Sequence, residues 1–364
     1  MSKYLSFYGG ARAISIIKKN GLVPEFVKVV AAAAGGPKWL ILGHMDKVLF
    51  SSWFKGRRES LFLVGSSAGA WRLAAACQNR PDEALEKLKY NYINQWYPAV
   101  PKYSEISFEC TKILDAYLGP QAVDEILNHS FCRLNILSVR SKGLLKSSNR
   151  LVQGAGLLQA VMANGLKRDY LKYFFQRVLF YHPEEKPPFY EMERFPIDRV
   201  PLHRKNFHKA LLASGSIPLV MPGVEDIHGA PSGVYRDGGA IDYHPDLPYL
   251  SEKEDKEKRI VLFPHYTDRI IPGWLDKKLS RRLPERANME NVLMVSPTKA
   301  FVDLLPGGKI PDRSDFATFK GKNSERIKRW NQAYKSSQVL GEEFMEVVES
   351  GKIKDIIKPL KTIG

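Results

Sequence analysis

Three short stretches hold residue types that could do chemistry together. Gly65-Ser66-Ser67-Ala68-Gly69 is a G-x-S-x-G pentapeptide set between the apolar run LFLVG and an Ala-rich helical pattern. A serine on a sharp strand-to-helix turn has its hydroxyl pushed out of the fold, and small neighbours permit the turn, so Ser67 is the candidate nucleophile. The alternative is a tight glycine turn in which Ser67 only caps the helix. Gly35-Gly36-Pro37-Lys38 also lies between a strand pattern and a helix pattern. Backbone N–H groups at a helix start carry the positive end of the helix dipole, so Gly35 and Gly36 could hold an oxyanion, Pro37 suits the first helical position, and Lys38 could add positive charge. A nucleotide phosphate loop fits less well, because the G-K-[ST] ending is missing. Asp237-Gly238-Gly239 puts a carboxylate at a strand end in an accessible turn, where it could take a proton from a serine. By itself DGG is a common turn.

These groups need strands that end close to one another. VKVVAAAA, from Val27 to Ala34, has strand length and gives way to the glycine turn and then to WLILGHMDKVLF, whose spacing predicts a buried helix. LFLVG from Leu61 reads as a fully buried strand, and SAGAWRLAAAC from Ser67 as the helix that follows it. Two such units predict α/β architecture. More strands are expected in LNILSV from Leu134, GVYRDGG from Gly233, RIVLF from Arg259 and NVLMV from Asn291, giving a mainly parallel sheet covered by helices. The stretch Asp82 to Leu127 reads as helical, either an inserted cap or extra covering helices. SEKEDKEKR from Ser251 reads as a solvated loop. The segment from Ser324 to Ser350 predicts one long amphipathic helix with Ser324 as its N-cap.

In the order glycine turn, G-x-S-x-G, DGG, the three stretches together resemble the patatin-like phospholipase family, whose pattern is G-G-G-x-[RK]-G, G-x-S-x-G and D-G-[GA]. ALLASGSIPLVMPGV, from Ala210 to Val224, is similar to the family's helix-and-proline stretch before the DGG turn. The resemblance spans Val27 to Ala240, with Ala34 and Trp39 standing where the family's loop has its first and last glycines. It implies a three-layer α/β/α fold with a mainly parallel central sheet. The catalytic domain would cover residues 1–250, with a helical insertion at about 82–127, and a C-terminal extension over 251–364 would complete the sheet and end in a long helix of the same domain. The resemblance also implies a Ser-Asp dyad: Ser67 the nucleophile, Asp237 the general base, Gly35 and Gly36 the oxyanion donors and Lys38 an auxiliary. No metal or organic cofactor is implied. The substrate would be a phospholipid or another acyl lipid, cleaved at a carboxylic ester.

Two other readings stay open. Ser67, Asp237 and a later His244 or His265 obey the Ser-Asp-His chain order of α/β-hydrolases, which would make a triad. Alternatively, a hydrolase scaffold without activity could bind a membrane or another anion through charge: 55 Lys and Arg against 39 Asp and Glu give a net charge of +16. Nucleic acid is disfavoured, since RNP-like aromatic strings and zinc or helix-turn-helix signatures are missing. For an anionic membrane surface the candidate is RIIPGWLDKKLSRRLPER, from Arg269 to Arg286. A helix from Pro272 would stack Leu275, Leu279 and Leu283 and set Trp274 near Lys278, Arg281 and Arg282, packing on the core or, with Lys277 among the basic residues, meeting lipid. Composition, at 44% hydrophobic and 26% charged, is that of a folded globular protein. Cys77, Cys110 and Cys132 lack paired spacing, which suggests a reducing compartment, and the remaining histidines lack metal-ligand spacing. Met1 to Gly21 lacks the apolar core of a signal peptide, and no apolar run reaches the roughly 18 residues of a membrane span. A cytoplasmic protein, peripheral to a membrane, is expected, with the oligomeric state left open.

Overall fold

The strands at the centre of the molecule are runs of apolar residues, many of them β-branched, that can be buried on both faces. A computed structural model describes residues 2–98 and 100–362, and among these ten strands form one sheet. They are β1 (Leu5–Gly9), β2 (Val27–Ala32), β3 (Leu61–Ser66), β4 (Cys132–Ser141), β5 (Phe175–Tyr181), β6 (Ile197–Pro201), β7 (Tyr235–Asp237), β8 (Ile260–Pro264), β9 (Val292–Pro297) and β10 (Lys358–Pro359). The order is β10-β1-β9-β8-β2-β3-β4-β5-β6, with β7 added on β4. Contacts are parallel except at β1/β9, β4/β5 and β4/β7. Every residue of β3, β8 and β9 is buried, so both faces are covered, as in a three-layer α/β/α fold with a mainly parallel sheet. The four later runs read from sequence are strands β4, β7, β8 and β9. Strands β1, β5, β6 and β10 were not foreseen.

Strand β4 acts as a splint. Its first six residues pair with β3, from Leu61↔Cys132 to Ser66↔Leu137. Residues Ser138 to Arg140 then pair with β7, beginning at Ser138↔Asp237. Because β5 occupies the other edge of β4 at these same residues, β7 must lie on the β3 edge. The C-terminal ends of β3 and β7 therefore meet head to head at neighbouring register positions, bringing Ser66-Ser67 up to Asp237.

Between β3 and β4 the chain forms the helices Ala68–Ala76, Pro81–Asn94, Tyr103–Tyr117 and Ala122–Leu127. Pro81–Asn94 packs on its neighbours to either side, and Tyr103–Tyr117 packs on the helix Arg204–Gly215 that leads towards β7. WLILGHMDKVLF is helical but not uniform: 3₁₀ turns from Gly36 to Leu42, α-helix Gly43–Val48, then widened π-type turns to Trp53.

Two expectations fail. The long C-terminal helix is two helices, Asn323–Ser336 and Gln338–Glu349, and Ser324 is not the N-cap. The break is at buried Ser337, whose hydroxyl donates back to the Tyr334 carbonyl at 2.7 Å and competes with helix continuation, after which the second helix packs on Gly43–Val48. The basic stretch from Pro272 has only a single 3₁₀ turn, Trp274–Asp276, followed by irregular turns. Asp276 is the cause. Its buried carboxylate accepts from the N–H of Gly273, from Asn164 and from Arg168, which ties the segment down before a helix can propagate. Leu275 packs against a small core cluster that includes Ile241.

Candidate active site

Each piece of the site is made by backbone constraints that the sequence meets with small residues. Ser67 follows β3 directly and has φ 53 and ψ −133, a left-handed conformation that is strained for a residue with a Cβ. The turn closes because the helix Ala68–Ala76 crosses the end of β2 at backbone contact. A Cβ on Gly69 would lie 2.6 Å from the Ala33 carbonyl oxygen. Ser67 sits at the N-cap position, but its side chain makes no capping bond. Its hydroxyl instead donates to Asp237 Oδ2 at 2.9 Å. The Ser67 N–H is taken by Ser214 Oγ at 2.8 Å, and Ser214 donates to the Leu137 carbonyl. Ser66 is a structural neighbour: fully buried, it donates to the Asp242 carbonyl at 2.6 Å.

The turn after β7 explains the DGG spelling. Gly238 lies over the β3/β4 junction, where a Cβ would be 2.3 Å from the Leu137 carbonyl oxygen. The N–H of Gly239 donates to Asp237 Oδ1 at 2.7 Å, so one carboxylate oxygen is held by backbone and the other faces Ser67. Arg177 on β5 grips Asp242 with two bonds of 2.8 and 2.7 Å and fixes the turn from behind. Asp237 is only 8% exposed. Burial pushes its pKa up to about 6, held there by the Gly239 N–H, the Ser67 hydroxyl and the charges of Arg313 and Lys277.

The glycine turn faces the same point. Gly35 and Gly36 have φ 144 and 56, and among the described residues their N–H groups have no hydrogen-bond partner. Ala34 is clamped through the peptides on both its sides: its N–H donates to the Tyr243 carbonyl at 2.8 Å, and its carbonyl, in the peptide to Gly35, accepts from the Tyr266 hydroxyl at 2.6 Å. In a planar trans peptide the C=O and N–H point opposite ways, so holding the Ala34 oxygen sets the direction of the Gly35 N–H. Tyr266 is held in turn by His244 Nε2 at 2.7 Å. The hydroxyl gives its proton to Ala34, so it accepts from Nε2–H; Nδ1 accepts from the Ile271 N–H at 2.8 Å, which makes His244 the neutral Nε2–H tautomer. Burial, with His265, Lys38 and Lys277 nearby, holds its pKa well below the ordinary histidine value. His265 Nδ1 is engaged at Thr267. Among the described residues no histidine bonds Ser67 or Asp237, and neither His244 nor His265 lines the two cavities at Ser67.

Those cavities, each of about 240 Å³, share Gly36, Ser67, Ile217 and Arg313 and differ in chemistry. One is mostly apolar, walled by Trp71, Tyr92, Ile106, Ile113, Val220 and Met221. The other holds Gly35, Lys38, Asp237, Lys277 and Asp312. All five residues singled out from sequence, Ser67, Asp237, Gly35, Gly36 and Lys38, line this polar cavity. Lys38, Lys277 and Arg313 form no ion pair among the described residues, while Asp312 is engaged by Lys309 and Ser314. Lys277 lies over the Tyr243 ring, 4.2 Å from its centre, and burial together with Lys38 and Arg313 lowers its pKa to about 8. The pKa of Lys38 is lowered as well, chiefly by burial.

Sequence reasoning missed Ser214, Tyr266, Lys277 and Arg313 as parts of the site. Ser214 lies in the ALLASGSIPLV stretch already noted, and Lys277 in the basic stretch. Arg313, alone in a loop, gave no signal. Among the described residues no group of His, Cys, Asp and Glu is placed to hold a metal ion.

No family model and no curated protein sequence matches the chain. Two solved structures resemble it in overall course. VipD from Legionella pneumophila has 12% sequence identity and a TM-score of 0.33, the match covering 86% of this chain and 67% of that one. Human GIVD cytosolic phospholipase A2 has 11% identity and a TM-score of 0.31, with 94% and 64% covered. The chain thus spans about two thirds of the length of each.

Proposed function

We propose that the protein is a serine lipid acyl hydrolase of the patatin-like type, cleaving a carboxylic ester with the dyad Ser67 and Asp237. The observation that carries this reading is the 2.9 Å hydrogen bond from a strained Ser67 to a buried Asp237, placed where an apolar cavity meets a cationic one. In the proposed reaction Asp237 takes the hydroxyl proton as Ser67 Oγ attacks the acyl carbonyl, and the N–H groups of Gly35 and Gly36 face the oxyanion that forms. Collapse breaks the bond to the alcohol oxygen, which leaves with the proton from Asp237. Water, deprotonated by Asp237, then attacks the acyl-enzyme and releases the fatty acid and Ser67. The acyl chain occupies the apolar cavity. The alcohol portion lies against Lys38, Lys277 and Arg313, three unpaired cations that favour a phosphate-bearing lipid over a neutral one. The triad alternative has no histidine at Ser67 to support it.

The test is fatty-acid release from phosphatidylglycerol, followed by mass spectrometry. Wild type should release fatty acid, and Ser67→Ala and Asp237→Asn should each lower the rate by about 10³-fold or more. Release by Ser67→Ala equal to wild type would contradict the assignment. Arg313→Gln should raise KM for the phospholipid while sparing a neutral soluble ester; an equal effect on both would remove the cationic cavity from the account.

A further inference from the structure

The helix Arg150–Leu166 is built inside out. Its buried residues are Gln153, Gly156, Ala160 and Asn164. Successive residues turn by about 100°, so Leu151, Leu158 and Met162 fall within roughly 40° of one another, directly opposite that buried set. Leu151 is 85% exposed and Leu166 83%, and Leu158, Val161 and Met162 are exposed beside them. Soluble helices turn their apolar stripe inward, and a contiguous exposed apolar patch marks a contact surface. The buried polar residues are partly compensated: Gln153 accepts from the Leu219 N–H at 2.7 Å and the Asn164 amide donates to Asp276 at 2.8 Å.

Charge identifies the partner. From Lys142 to Arg168 the sequence contains no acidic residue, and Lys146, Arg150 and Lys172 are exposed around the apolar face; Lys167 is exposed as well and pairs with Asp169 at 3.5 Å, which Arg194 also engages. Two copies meeting through this face would set basic rim against basic rim, whereas an anionic lipid surface complements it. Position agrees. Leu219 is held by Gln153 and by the Tyr103 hydroxyl, the Arg150 guanidinium lies 4.5 Å from the Tyr103 ring centre, and the residues flanking this loop, Ile217 and Val220, line the apolar cavity at Ser67. Exposed Val100 and Phe108 lie in the chain beside Pro101 and Ile106, which line the same cavity.

We infer that the exposed face of the helix Arg150–Leu166 is a membrane-docking surface for anionic bilayers, on a helix whose buried Gln153 holds the loop that walls the apolar cavity. It replaces the stretch after Pro272 as the lipid-facing element, and it does not depend on Ser67 hydrolysing anything. The experiment is vesicle co-sedimentation of the full chain on phosphatidylcholine vesicles with and without phosphatidylglycerol, using Ser67→Ala so that no lipid is consumed. In that background the protein should bind the phosphatidylglycerol vesicles at least tenfold more tightly. Adding Leu158→Glu with Met162→Glu should weaken binding by at least tenfold at an unchanged melting temperature. Adding Lys146→Ala, Lys167→Ala and Lys172→Ala should remove the preference for anionic vesicles. Should the glutamate pair impair folding, Leu151→Ser with Leu166→Ser must show the same loss. Undiminished binding in folded variants, no binding by the parent protein, or a lipid-free dimer that these substitutions turn into monomers would each overturn the inference, the last by making the face a subunit interface.

Discussion

Burial makes Asp237 costly to the fold, and the same burial raises its pKa into the range the proposed general base would use. In the folded protein its pKa is about 6, above the roughly 3.9 of an unfolded chain, so the fold favours the protonated form. As pH rises between these values the unfolded state gives up its proton first and stability falls; above about 6 the full penalty is present. Asp237→Asn should therefore abolish activity yet melt higher than wild type at pH 8, by on the order of 1–3 kcal/mol, with the difference fading towards pH 4. Calorimetry at the two pH values checks it. In the proposed reaction Asp237 must be ionised and Lys277 charged, so phospholipid hydrolysis should rise through about pH 6 and fall through about pH 8, whereas a neutral soluble ester should show only the rise. Identical profiles would separate Lys277 from substrate. Tyr266→Phe frees the Ala34 carbonyl and should lower kcat about tenfold with little change in KM, a split that a loss of packing alone would not produce. Ser67, Asp237 and the two glycines stood out in sequence as candidates because each belongs to a pattern of a few residues, and the structure places all four around one cavity. Tyr266 and Arg313 were not, since their roles arise from contacts 232 residues from Ala34 in one case and from an isolated loop position in the other.

At the level of elements, the site depends on two strand ends meeting along β4 and on a helix crossing a strand at backbone contact. Gly69→Ala would press a methyl group against the Ala33 carbonyl and should cost about 3 kcal/mol or more along with activity. Gly165→Ala, where a Cβ would meet nothing within 4 Å, should instead add up to about 1 kcal/mol by helix propensity. Urea denaturation of the pair is the check, and equal effects would mean that the crossing is not as close as described. The strand-turn-helix units at Val27 and Leu61 were readable because a buried parallel strand is an unbroken apolar run. Strands β5 and β6 include polar residues such as Gln176, Arg177, Asp198 and Arg199, some of them partly exposed, and blur that signal. The split at Ser337 was hidden because a serine is tolerated within helices; only its bond to Tyr334 and the packing beyond it turn the chain.

For the molecule as a whole, net charge predicted an anionic partner but not where it would bind. The basic stretch after Pro272 looked suitable because periodicity was read without tertiary contacts, and Asp276 with its buried partners overrides it. The inside-out helix escaped notice because its apolar residues fit a core helix equally well by spacing. Among the described residues no helix is long and apolar enough to cross a membrane. What ties the cavities and the cations together is the identity of the nucleophile. The most direct measurement is labelling of the native protein with a fluorophosphonate, then peptide mapping. The account predicts one modified residue, Ser67, with labelling abolished in Ser67→Ala and retained in Ser66→Ala. A label on any other serine, or hydrolysis that continues in a protein whose Ser67 is fully modified, would contradict it.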